Sequence, residues 1–164
     1  MVDQPRDPYA IATSILDGVV TCFADANVTL PARQVVLGGG LPAWDTEQLT
    51  VSLGPSGITA GMPGVTQGQP VPWQHGMFTA QFLVQLVRQA TATLANSPRK
   101  QMPSAAQLAA DGQTYMRDAR LLAGALHTWH KTQRQGTVHV GPVIPPEQQG
   151  EMLGLSALVD VLLA

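Results

Sequence analysis

Residues Phe78–Gln89, FTAQFLVQLVRQ, decide how the rest of this chain must be arranged. Phe78, Ala80, Phe82, Val84 and Leu86 recur at alternate positions and make one fully apolar side. Thr79, Gln81, Gln85 and Gln89 fall on the other side, with Leu83 and Val87 among them. The alternation predicts one strand of about 40 Å, at about 3.3 Å per residue. Two further stretches carry a similar stripe. Leu49, Val51 and Leu53 alternate with Gln48, Thr50 and Ser52 in 47–53, and Leu153, Leu155, Ala157, Val159, Val161 and Leu163 alternate through 151–164. A sheet of such strands needs an apolar cover, which two helical segments can supply.

The first helix is predicted from Asp7, an N-cap acid, and Pro8, at the first helical position. Ala12, Ile15, Leu16, Val19, Cys22 and Phe23 follow at helical spacing to about Ala24. Thr13, Ser14, Asp17 and Thr21 lie off that stripe, toward solvent or a neighbouring subunit. The second helix opens on Ser104 and Gln107, a capping box. Leu108, Tyr115, Leu122 and Trp129 then recur every seven residues, with Gly112, Ala119 and Leu126 at the alternate seam positions. The small residues at 112 and 119 are expected to permit close approach to a sheet or to the first helix. Arg117, Asp118, Arg120, Lys131 and Arg134 are expected to mark the exposed side. A coiled-coil dimer through this seam is the rival reading, disfavoured by Gly and Ala at one seam position.

Arg33–Leu37 reads as a short strand, and Gly38, Gly39 and Gly40 after it as a tight turn between two strands. The fold expected is α+β, in one domain spanning 1–164. A small antiparallel or mixed twisted sheet of about four strands carries two helices on one face. Two Gly/Pro-rich excursions interrupt it, at 54–76 and at 137–150, the latter starting as a short strand. Excursions of this length tend to have a task or to be ordered by partners. Met62, Val65 and Trp73 in the first excursion and Pro142 and Ile144 in the second are therefore candidate subunit or partner contacts, with Val71 and Phe78 in or beside the first; Trp44, just before Asp45 and the second strand, reads as a core or subunit-contact aromatic rather than a ligand platform.

The 164 residues contain 9 Lys and Arg against 11 Asp and Glu, a net charge of −2, and only 12% are charged. Ordinary domains carry about 25%. Binding to a nucleic acid backbone draws on clustered Lys and Arg, which this chain lacks. Low charge also gives weak protection against self-association, so coverage by copies or partners is expected. Cys22 is the only cysteine, which rules out an internal disulfide or a cysteine metal cluster. The first residues, MVDQPRDPYA, do not read as a signal peptide, and no run approaches a membrane span.

Motifs with chemistry are absent. The glycine run matches neither GxxxxGK[ST] nor GxGxxG and has no lysine beside it. His127 and His130 are three apart, as metal ligands sometimes are, yet there is no HExxH; a third ligand would have to come from His139 or a distant carboxylate, and nothing in the spacing asks for it. Asp45 and Glu47 lie at the start of a strand without the complementary group a hydrolase needs. GxSxG is missing. The expectation is a protein that is not an enzyme and holds no cofactor or metal.

The opening helix, PARQVVLGGGLPAWDTEQLTVSL at 31–53, the Gly/Pro excursion, the long strand containing FLVQLVRQA at 82–90, the small-residue helix and the closing strand resemble, in that order, the tail-terminator or head-to-tail connector proteins of long-tailed bacteriophages, particularly those of actinobacteria. The likeness covers nearly the whole chain in element order, and ARQVVLGGGLPAWDTEQL is its most particular part. The resemblance implies a structural virion protein at the head-tail junction, assembled in the host cytoplasm. It would form a homohexameric ring that caps the tail tube and meets a head-side connector or stopper, with DNA passing through the lumen without specific binding. A head-completion stopper or a tail-tube subunit is the nearest alternative, and a small soluble enzyme a more distant one.

Overall fold

The computed structural model describes residues 6–38, 44–61, 63, 77–90, 104–149 and 151–163. Its elements are α1 (Pro8–Asp25), β1 (Arg33–Leu37), β2 (Gln48–Ala60), β3 (Phe78–Gln89), α2 (Ala105–Lys131), β4 (Val138–Gln149) and β5 (Met152–Leu162). The strands form one mixed sheet in the order β1-β2-β3-β5-β4, with β1 parallel to β2 and every other pair antiparallel.

The long strand read from Phe78 to Gln89 is β3, and it lies at the centre. Its register explains why one alternation organises three strands. Leu49, Val51 and Leu53 of β2 stand opposite Leu86, Val84 and Phe82, which in turn stand opposite Leu155, Ala157 and Val159 of β5. All these residues point to the face that α1 and α2 cover. There Ile15, Val19 and Phe23 of α1 and Leu122, Leu126 and Trp129 of α2 join them in one core. Each fully buried Leu, Ile or Phe side chain contributes about 1.5–3 kcal/mol relative to exposure.

Both helix starts form as the sequence predicts. The Asp7 carboxylate accepts from the Tyr9 N–H, with Pro8 at the first turn, and Ser104 and Gln107 make both bonds of the capping box. The helices meet where Gly18 of α1 faces the indole of Trp129: a Cβ at Gly18 would stand 3.3 Å from Trp129 Cδ1, so the glycine sets the approach. Trp129 Nε1 donates to Ser14 Oγ at 2.9 Å. Ser14 therefore faces α2.

Several expectations are corrected. The stretch 137–150 is mostly strand: β4 runs for 12 residues beside β5, and it absorbs its glycine and prolines in register shifts between Val140 and Val143 and between Ile144 and Glu147. It brings the strands among the described residues to five. Residues 54–60 likewise belong to β2, which shifts register between Leu53 and Ile58. Because β1 and β2 are parallel, no tight turn joins them as a hairpin; Gly39 and Gly40 lie outside the described residues. Gly112 has no neighbour within 4 Å of where a Cβ would stand, and Leu108 is 54% exposed, so the first turns of α2 extend beyond the core. Asp118, expected on the exposed side, is fully buried.

Candidate functional site

Helices cover one face of the sheet, and the other face gathers the described candidate residues. By register this outer face carries Gln48, Thr50 and Ser52 from β2, Gln81, Leu83, Gln85 and Val87 from β3, and Gly154, Ser156, Leu158, Asp160 and Leu162 from β5. Across these three central strands Asp160 is its one charged residue.

Trp44 sits on this face. Its Nε1 donates to Gln85 Oε1 at 3.2 Å. Its ring lies so close to β5 that a Cβ at Gly154 would stand 2.5 Å from Trp44 Cη2. A glycine within a strand commonly marks such an approach, which is the sequence signal that points to Gly154. The indole is thus seated on β3 and β5 of its own subunit. An exposed ion pair between Arg33 and Asp45, at 3.6 Å, flanks it. Beneath this region the Thr50 hydroxyl is buried without a hydrogen-bond partner.

A polar row crosses the sheet nearby. The Ser56 N–H donates to Gln81 Oε1 at 3.1 Å, Gln81 Nε2 donates to Asp160 Oδ1 at 3.0 Å, and His139 Nδ1 lies 3.6 Å from Asp160 Oδ2. The row joins the irregular part of β2 to β3, β5 and β4, and it gives the one carboxylate of the central face its partners.

Ile144 lies opposite Ser156 and is 37% exposed, so it shares the outer face with Trp44. Pro142 is exposed and falls in the register shift after Val140. Met62, Val65 and Trp73 lie outside the described residues.

The densest electrostatic arrangement is on the helix side. Arg88, at the end of β3, donates through Nε to Asp118 Oδ2 and through Nη2 to the Thr29 carbonyl at 2.9 Å. Arg117 donates twice to Asp118 Oδ1, at 3.0 and 2.8 Å. The cluster ties α2 to the central strand and to the segment after α1. Burial, with Asp111 and Asp118 nearby, pushes the Tyr115 hydroxyl up to about 12. Burial also raises the Cys22 thiol, with Asp25 adding to the shift.

Groupings that support chemistry are not found among the described residues. No three His, Cys, Asp or Glu side chains there gather to hold a metal ion. The rings of His127 and His130 are 6.4 Å apart and tilted. A shallow groove of about 440 Å³ lies between the end of α1 and β1, lined by Val20, Ala24, Val28, Leu30 and Gln34 among others, and no titratable side chain lines it. No described helix is long and apolar enough to cross a membrane. Fold and site define an α+β protein whose described strands form one five-stranded mixed sheet. No protein-family model and no curated protein matches the chain.

Proposed function

We propose that this chain is a structural subunit of a long-tailed phage virion, a tail terminator that assembles into a hexameric ring, caps the tail tube and meets the head-side connector. The observation that carries the reading is the scarcity of charge on the central sheet together with the absence of a titratable cluster among the described residues. Two helices occupy one face, and the opposite face of the three central strands has a single carboxylate, partnered by Gln81 and His139, with Gln48, Thr50, Ser52, Leu83, Gln85 and Val87 buried within the subunit. A sheet so closed, without convergent titratable groups among the described residues, suits a structural subunit rather than a catalytic pocket. The element order that resembles the terminators adds to it, as does the low charge, which lets DNA pass through a lumen without being held. On this reading the protein works at the head-tail junction, without enzymatic activity or a cofactor.

The test is to add the purified chain to polymerising tail-tube protein from the same genome and measure tube lengths by electron microscopy. A terminator caps tube ends and shortens the length distribution. Incorporation along the tubes, or formation of tubes by the chain alone, would make it a tube subunit. Unchanged tubes with bare ends would overturn the reading.

A further inference from the structure

We propose that the open edge of β1, with the groove beside it, receives an extended strand of another protein, which adds to the sheet as a sixth strand. The sheet ends at β1, which pairs with β2 alone, so the N–H and C=O groups on its far side have no strand partner among the described residues. Such an edge bonds an extended polypeptide through the main chain, and pockets beside it select alternate side chains.

The groove lies where those side chains would stand. Gln34 is opposite Leu49 and Val36 opposite Val51, so both lie on the helix side of β1, and Gln34 lines the groove. α1 packs over β1 and β2, and α2 over β4 and β5. Gly18 and Cys22 mark the flank of α1 that meets α2: a Cβ at Gly18 would stand 3.3 Å from Trp129, and the Cys22 thiol donates to the Leu121 carbonyl at 3.8 Å. With about 3.6 residues per turn, Val20 and Ala24 fall on the opposite flank, toward the β1 edge. A strand laid beside β1 would set every second side chain beneath that flank. The space is about 440 Å³, and its lining, including Val20, Ala24, Val28 and Leu30, has no titratable side chain. Small uncharged apolar side chains fit it.

The other open backbone of the described sheet is guarded against pairing. β4, the opposite edge, lacks N–H donors at Pro142 and Pro145 and bends at two register shifts. The part of β2 beyond Ser52, which β1 does not reach, carries Pro55 and, at φ +58, Gly57 within its own shift. Prolines and bulges are the usual protection of an edge. β1 has neither, and its one charged residue, Arg33, stands at its first position and is paired with Asp45. The same contrast bears on the source of the strand. Among the described residues, the one proline-free edge a second copy could offer is its own β1, and a β1–β1 pair is isologous and closes at two copies. A ring needs a different contact, so the added strand comes from another protein; that choice of source rests on the ring-forming reading, whereas the edge and the groove do not.

The probe is a capped seven-residue peptide alternating threonine and valine, added to the full chain while amide exchange is followed by NMR. At a peptide concentration about ten times Kd, the outward amides of 33–37 are expected to exchange about tenfold more slowly, and the Ala24 and Leu30 resonances to shift. A peptide of the same length with proline at every second position is expected to do neither. Ala24→Arg places a charge in the groove from an exposed helical position, with folding verified by a circular dichroism melt, and is expected to weaken binding at least about tenfold. Amides of β1 that exchange equally with and without the peptide, or an Ala24→Arg chain that binds it as tightly, would overturn the proposal. A wild-type chain that forms dimers with its own β1 amides protected would assign the edge to a second copy, overturning both the foreign strand and the ring. Rings that fail to cap tubes would overturn the terminator reading alone.

Discussion

Replacing Asp118 by Ala tests the electrostatic tie between helix and sheet. Its side chain is 1% exposed and Arg88's is 14%, so the pair sits away from water, while Arg117 reaches the same carboxylate from a half-exposed position. Removing the carboxylate leaves the Arg88 guanidinium with the Thr29 carbonyl as its remaining partner among the described residues. Truncating one member of a buried pair costs about 3–5 kcal/mol, because the other charge stays buried without compensation. With a urea m-value of about 2 kcal/mol/M, the midpoint should fall by roughly 1.5–2.5 M at unchanged slope. Arg117→Ala removes only the exposed arm and should cost under about 1 kcal/mol. The double variant Arg88→Met/Asp118→Leu, which removes both charges and keeps the volume, should recover most of the loss. An Asp118→Ala cost below about 1 kcal/mol, or a double variant no more stable than the single, would refute the account of a desolvated pair.

Gly154→Ala should lift the Trp44 ring off β5, since the new methyl would stand 2.5 Å from Cη2. The expected cost is about 1–3 kcal/mol, together with a shifted indole N–H resonance in ¹⁵N NMR; an unmoved resonance would contradict the seat described for Trp44. Tyr115 should titrate near pH 12 by absorbance. Its raised value means that the folded state disfavours tyrosinate, so its contribution to stability is present below about pH 10 and is lost as pH rises toward 12. A Tyr115→Phe variant should lack that loss, and an equal alkaline slope in both proteins would count against it. Ser104→Ala should cost about 1 kcal/mol and speed amide exchange in the first turns of α2, where little tertiary packing supports the helix; unchanged exchange there would show the cap to be dispensable.

The sequence stated the central architecture plainly because its apolar residues follow two clean periods. Alternation across 78–89 and 151–164 defined β3 and β5, and the helical stripes of α1 and α2 survived as the buried Ile15, Val19, Leu122, Leu126 and Trp129. β4 was not legible, since Gly141, Pro142, Pro145 and Pro146 read locally as loop; the ladder with β5 forms around two register shifts that no short-range pattern encodes. The heptad in α2 did not reveal that its first turns run past the core. Asp118 reads as surface because a carboxylate on a helix is usually solvated, and only the arrival of Arg88 from a distant strand makes its burial tolerable. Trp44 stood out as a contact aromatic, yet what receives it, Gly154 and Gln85, comes from two strands remote in sequence.

The most direct test of the ring-forming account is the mass of the purified chain by light scattering after size-exclusion chromatography, with negative-stain images of the same peak. The account predicts a closed hexameric ring that does not grow as concentration rises. A chain that remains monomeric at every concentration, with tube protein present or absent, would contradict it.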